Sequence, residues 1–191
     1  MNRFYIADTH FGHANILTFK RNDGTPLREF CCVDEMNEHM VRKWNEVVHP
    51  TDTVYHLGDV AINHKILPNI LPRLNGRKIL IKGNHDEAKL SVYATYFADV
   101  RAYDRKEGII TSHVPIHPQS LERWGVNVHG HLHANQVTKT VSIYNFGQSP
   151  PIQHRVPDSR YFCVSVEQID YTPIELGDLQ KRIKERLDNE K

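Results

Sequence analysis

Lys78-Ile79-Leu80-Ile81-Lys82-Gly83-Asn84-His85-Asp86 is a short apolar run that stops on a glycine followed by an amide, an imidazole and a carboxylate. Such a run, closed by turn formers, reads as a strand, so the polar triplet falls at its carboxyl end. The figure recurs along the chain. Phe4–Ala7 runs into Asp8-Thr9-His10, Thr53–Leu57 into Gly58-Asp59, Gly108–Thr111 into Ser112-His113, and Val126–Val128 toward Gly130-His131-Leu132-His133. Val141–Phe146 and Tyr161–Val166 read as two further strands, and Pro150, Pro151 and Pro157 mark a surface loop over Gln148–Ser159.

Helical periodicity lies between these runs. Met36, Met40, Val41, Trp44, Val47 and Val48 make one amphipathic face, with Asp34 as candidate N-cap and His49-Pro50 as the stop. Ile66, Leu67, Ile70, Leu71 and Leu74 share a second helical face, but Pro68 and Pro72 fall inside it and allow only a short or kinked helix. Leu179, Ile183 and Leu187 predict a C-terminal helix over about 176–188, with Lys181–Arg186 as its solvated face. Alternating strands and helices followed by closely spaced strands imply a layered α/β fold in a single domain, residues 1–191. In such sheets, sites form where loops converge at the carboxyl ends of strands.

Composition narrows the function. A hydrophobic content of 39% with 25% charged residues belongs to a globular chain. The 24 Lys and Arg nearly balance the 23 Asp and Glu, so no basic track is present for sequence-independent binding of an extended nucleic acid. Cys31, Cys32 and Cys163 make neither a disulfide framework nor a CxxC pair. With no long apolar stretch and no export signal, a cytoplasmic protein with reduced cysteines is expected.

The 13 histidines are the anomaly. Asp8, His10, Asp59, Asn84, His113, His131 and His133 form a mixed nitrogen and oxygen donor set, which suits Mn, Fe, Co, Ni or Zn. Seven donors exceed one tetrahedral site and suit two metals sharing a carboxylate. Two ions about 3.5–4 Å apart can clamp both oxygens of a phosphoryl displacement. Two divalent ions, two carboxylates and a hydroxide leave the centre net positive, so it would attract phosphate although the chain is nearly neutral.

In this order, D-x-H, G-D, G-N-H-D, H and G-H-x-H, the chain resembles the calcineurin-like metallophosphoesterase superfamily. The openings Ala7–His13 and Val164–Glu167 with Tyr171-Thr172-Pro173 are similar to a small single-domain bacterial and phage branch of phosphoesterases. The resemblance implies an αββα sandwich, and one metal held by Asp8, His10 and His133. It places a second metal on Asn84, His113 and His131, with Asp59 bridging. Two divalent ions, manganese foremost, would then support hydrolysis of a phosphomonoester or phosphodiester by a metal-bridging hydroxide, with His85 as general acid. Where many relatives carry a second aspartate, three residues after the bridging one, this chain has Ile62, which leaves Asp86 as the nearest candidate to orient His85.

His13, Asn15 and His117 are candidate substrate contacts, Asn15 doubling as a candidate helix cap, and His129 is a candidate brace for a ligand. His39, His49, His56, His64 and His154 are expected to lie outside the site. The expected partner is a small phosphorylated substrate, a nucleotide among the candidates, with no membrane. A nuclease or nucleotide-specific phosphohydrolase is the runner-up, and a non-catalytic protein-binding scaffold of the same fold the third reading.

Overall fold

Four short segments, β1 (Arg3–Ile6), β2 (Thr53–His56), β3 (Arg77–Ile81) and β4 (Asp99–Arg101), lie parallel in the computed structural model, which describes residues 1–143 and 151–189. The residues of β1, β2 and β3 are mostly buried, as parallel strands covered on both faces require, and those of the edge strand β4 are half-buried. The two-residue strand β11 (Ile174–Glu175) adds antiparallel to the free edge of β1. A second sheet has the order β10 (Tyr161–Cys163), β7 (Val126–His129), β6 (Ile109–Ser112), β5 (Tyr103–Lys106), all parallel except β5 against β6. The fold is therefore mixed α/β with parallel and antiparallel pairing. One hydrophobic core draws on both sheets, with Ile6, Val54 and Leu80 from the first and Val128 and Phe162 from the second.

Helix α1 (Val33–Val47) buries Met36, Met40, Val41 and Trp44 against that core. Its cap is Cys32, not Asp34. The Cys32 sulfur accepts the Glu35 N–H at 3.5 Å while the Glu35 carboxylate accepts the Cys31 N–H at 2.7 Å. This reciprocal arrangement resembles a capping box and leaves Asp34 in the first turn, where its charge suits the helix dipole. Pro68 and Pro72 divide the next apolar segment as expected. It forms 3₁₀ turns at His64–Ile66 and Leu71–Arg73 around the single turn α2 (Leu67–Ile70), and still buries Leu67, Ile70, Leu71 and Leu74. One-turn helices α3 (Leu90–Tyr93) and α4 (Leu121–Trp124) follow, and α5 (Leu176–Asp188) covers the predicted C-terminal span and buries Leu179 and Ile183.

The Gln148–Ser159 segment is not wholly a loop. Within it β9 (Ile152–Pro157) pairs antiparallel with β8 (Thr138–Ile143) as a two-stranded ribbon. Pro157 is tolerated because it closes the strand. Residues 144–146 of the predicted Val141–Phe146 strand and 148–150 of that loop lie outside the described residues.

The two sheets meet where the end of β1 runs beside the end of β10, the edge strand of the second sheet. The Ala7 N–H donates to Val164 O at 2.9 Å, and Ala7 and Ser165 form an isolated parallel bridge. Six strand ends, those of β1, β2, β3, β6, β7 and β10, thus converge on one region.

Candidate metal centre

Asp8, His10 and His133 each present one ligand atom within 4.8 Å of the others, and Asp59, His113 and His131 do the same, so each group can hold a metal ion. Asp59 joins the two. Its Oδ2 lies 3.6 Å from His10 Nε2 and 3.4 Å from His113 Nε2, between one group and the other. Asn84 completes the set on the second side, its Oδ1 standing 2.9 Å from the same His113 Nε2. All seven predicted donors are therefore gathered.

Backbone conformation marks the same residues. Asp8 (φ 56°), His10 (46°), Asp59 (56°), His131 (69°) and His133 (51°) are five of the eight non-glycine residues with left-handed φ among the described residues. Each such residue costs about 1–3 kcal/mol and persists only where its surroundings fix it. Here they do. Asp8 N–H donates to Gly58 O at 3.0 Å, His10 N–H to Asp59 O at 3.1 Å, and His131 N–H to both Asp8 carboxylate oxygens at 2.9 and 3.1 Å. Glycine is required where the strand ends press together. A Cβ on Gly58 would stand 2.6 Å from Gly83 N and from His113 Nδ1, and one on Gly130 would stand 2.6 Å from Asp8 Oδ2.

The donor chemistry fits bound cations. His10 is 3% exposed, and neither ring nitrogen has a hydrogen-bond partner. Burial, with the neighbouring positive groups His133 and Arg28, outweighs the pull of Asp59 and brings His10 down to about 2. It is thus neutral and able to act as a ligand, and an orphan unless something electrophilic meets it. His113 donates from Nδ1 to Leu57 O at 2.7 Å, leaving Nε2 to face the two oxygens of Asp59 and Asn84. His133 Nδ1 is 3.0 Å from Glu167 Oε1, which leaves its Nε2 free in the same way. A histidine held through its far nitrogen is the usual arrangement for a metal ligand. Asp8, fully buried, is pushed up to about 6 by desolvation, against the opposing effect of His133, His113 and the Ser165 hydroxyl at 2.6 Å. Burial also acts to raise Asp59, but its contacts with His113, His10 and the His85 N–H hold it at about 2.

Behind the first group stands a buried ion pair absent from the sequence reading. Arg28 Nη2 and Glu167 Oε1 are 2.8 Å apart with both side chains fully buried. Arg28 also donates to Thr9 O at 2.9 Å and Asp8 O at 2.5 Å, across the strained turn that aims Asp8 and His10. The Val164–Glu167 stretch beyond β10, which carries part of the resemblance, was the available signal for Glu167. Arg28, in a loop rich in polar residues, gave none.

The other predicted residues divide. His85 is exposed above the site, its ring 5.6 Å from that of His10 and its N–H bonded to Asp59 Oδ1 at 2.9 Å. Asp86 does not reach it. The Asp86 carboxylate is fully buried and accepts the N–H groups of Gly83 (2.8 Å), Asp59 (2.9 Å) and Val60 (3.0 Å), so it braces the bridging-aspartate turn instead of orienting the imidazole. His13 stands at the rim, 5.7 Å from the His10 ring. Asn15 is exposed within a 3₁₀ turn whose N-cap position is His13, so it does not cap, and His117 accepts the Gln119 N–H at 3.3 Å as the cap of another. His129 is buried with Nδ1 on Gly130 O at 2.7 Å, bracing the turn that carries His131. His56 is buried against Trp44 and bonded to Thr9 Oγ1 at 2.9 Å, a packing role.

No family model matches the sequence. The uncharacterized protein MJ1445 of Methanocaldococcus jannaschii is 34% identical over 187 residues, which are 96% of this chain and 92% of that one. The crystal structure of a protein of unknown function, AQ665 from Aquifex aeolicus, superposes with a TM-score of 0.66 at 26% identity, covering 94% of this chain and 98% of the other. No helix among the described residues is long and apolar enough to cross a membrane.

Proposed function

The chain belongs to the same family as MJ1445, and we propose that it is a metal-dependent phosphoesterase that hydrolyses a phosphomonoester or phosphodiester bond. The carrying observation is the position of Asp59 Oδ2, within 3.6 Å of a ligand nitrogen from each of two donor groups. That placement fits two ions sharing one carboxylate. The order of the motifs along the chain and the two mixed sheets over one core support an αββα metallophosphoesterase sandwich.

Asp8, His10 and His133 would hold one ion and Asn84, His113 and His131 the other, with manganese the first candidate and iron, zinc, nickel or cobalt the alternatives. The ions supply a water acidified toward neutrality and positive charge for the phosphoryl oxygens. The chain's own residues do the rest. Asp59 sets the spacing of the donor groups, while Glu167 and Leu57 O fix which nitrogen His133 and His113 present. His85, exposed beside His10 and held through its N–H to Asp59, delivers a proton to the leaving oxygen.

Purified protein should cleave p-nitrophenyl phosphate or its bis ester with Mn²⁺ and lose that activity to a chelator. Saturating Mn²⁺ at about 100 times its Kd should raise stability by about 2.7 kcal/mol. His85→Ala should keep this thermal shift while losing about 10²–10⁴ in kcat, the usual worth of a positioned acid. Asp59→Asn should lose both. A fully active Asp59→Asn protein would sink the proposal.

A further inference from the structure

Beside the candidate metal centre lies a cleft of about 400 Å³, walled by the loop over residues 19–27 and by the 131–135 turn. The first wall is a cross-bonded hairpin. Arg21 N–H donates to Thr25 O at 2.8 Å, Leu27 N–H to Phe19 O at 2.8 Å, and Lys20 pairs with Pro26 as an isolated bridge. Asn22 Nδ2 donates to Asn135 Oδ1 at 2.9 Å and ties it to the opposite wall.

Three features of this cleft point to one ligand chemistry. Phe19 is 46% exposed, an aromatic face that packing leaves in water apart from an edge contact with His13 at 5.8 Å. Lys20 and Arg21 line the cleft together with no carboxylate. The Lys20 ammonium has no partner among the described residues, and Arg21 keeps donors beyond the two placed on Pro26 O and Leu27 O. The loop's own Asp23 is engaged by the Thr25 N–H and hydroxyl and lies outside the lining. Finally, the inner end of the cleft is formed by His131 and His133, two of the candidate ligands. Ring-to-ring steps of 5.7 Å from His10 to His13 and 5.8 Å from His13 to Phe19 set a span that one nucleotide bridges.

We infer that the substrate is a nucleoside carrying two phosphates, one at the metal centre, the second at Lys20 and Arg21, and the base stacked on Phe19. The inference rests on the phosphoesterase reading and names its substrate class. A compact phosphomonoester would leave Phe19 and Lys20 unused, and the Asn22–Asn135 bridge between the walls suits a single nucleotide, not a continuing strand. Water adds to phosphorus, the P–O bond to ribose breaks, and the ribose oxygen leaves with a proton, giving inorganic phosphate and a nucleoside monophosphate.

The test compares adenosine 3′,5′-bisphosphate, AMP and p-nitrophenyl phosphate with the Mn²⁺-loaded full chain, and measures the Kd of the bisphosphate calorimetrically on the His85→Ala protein. Phe19→Ala should lower the ratio of kcat/KM for the bisphosphate to that for p-nitrophenyl phosphate about tenfold, in line with the loss of one base stack, and weaken the Kd to match. Lys20→Ala should lower the ratio of bisphosphate to AMP several-fold, while Lys181→Ala on the solvated face of α5 moves neither. Ratios and Kd that ignore Phe19 and Lys20 overturn the inference, even if p-nitrophenyl phosphate is cleaved. A Phe19-dependent Kd in a wild-type protein that hydrolyses nothing would overturn the phosphoesterase reading and keep the cleft assignment.

Discussion

Replacing Glu167 by glutamine removes one charge and almost no volume from the most buried ion pair among the described residues. All of its contacts converge on Oε1, which Arg28 and His133 share, while Oε2 is buried without a partner. A glutamine can keep its oxygen at the first position and its amide at the second, so the effect reports charge and not a lost acceptor. Burial pushes Glu167 up, and the His133 hydrogen bond and the Arg28 charge more than offset it, holding it at about 2 against an ordinary 4.5. That depression corresponds to about 3 kcal/mol of stability. It agrees with the about 3–5 kcal/mol expected when one partner of a buried pair is removed. For a domain of this size the melting temperature should fall by roughly 6–12 °C. Because the folded value is depressed, the contribution is complete above the unfolded value of 4.5 and drains away as pH falls toward 2. Urea unfolding of both proteins without metal, from pH 7 down to pH 2, should show a gap of about 3 kcal/mol that closes at the acid end. His133 would also lose its anionic anchor, so Mn²⁺ affinity should fall about 10–100-fold. Two unfolding series separated by a constant gap, or not separated at all, would refute the assignment of that stability to the Glu167 charge.

Three other perturbations read different parts of the same region. Gly58→Ala forces a side chain into a left-handed residue (φ 91°) with backbone and His113 atoms 2.6 Å away, and should abolish the Mn²⁺-induced thermal shift in any protein that still folds. Asp86→Ala strands three buried N–H groups, each worth about 1–3 kcal/mol, so chemical denaturation should show a loss of several kcal/mol, with loss of metal binding as the Asp59 turn relaxes. Trp44→Ala, away from the metal centre, should cost about 3–5 kcal/mol by denaturation, since the ring is 1% exposed and its Nε1 donates to Asn75 O at 3.0 Å.

What the sequence disclosed follows how each element is stabilised. β2, β3, β6 and β7 are buried strands, and apolar runs announce burial. α1 was visible because Met36, Met40 and Trp44 all face one core. β5 was invisible because Asp104, Arg105 and Lys106 sit at a sheet edge, where charge guards against further pairing and leaves no apolar pattern. β11 is two residues long, and β9 is almost wholly exposed, so neither had burial to reveal it. A proline count consistent with a loop outweighed the pairing potential of β9, and only the partner strand β8 decides between them.

The site shows the complementary limit. Its candidate donors were legible because holding a metal would demand particular side chains, and side chains are what a sequence records. Their support was not legible, because it works through backbone. Asp86 reads as a catalytic carboxylate beside His85, yet its oxygens go to three amide groups, an arrangement that no residue type specifies. Arg28 carries no signal in the sequence, yet it reaches the carbonyls of Asp8 and Thr9 from a fully buried position. Both residues hold turns in which the donors adopt left-handed backbone at a cost of about 1–3 kcal/mol each. The strain and the buried charges belong together. A chain that merely packed would relax Asp8, His10 and Asp59 and replace Arg28 and Glu167 with apolar groups at no loss of stability. That five donors are instead kept strained, and braced by groups costly to bury, is the physical reason to regard the cluster as preformed for ions and not as a by-product of packing.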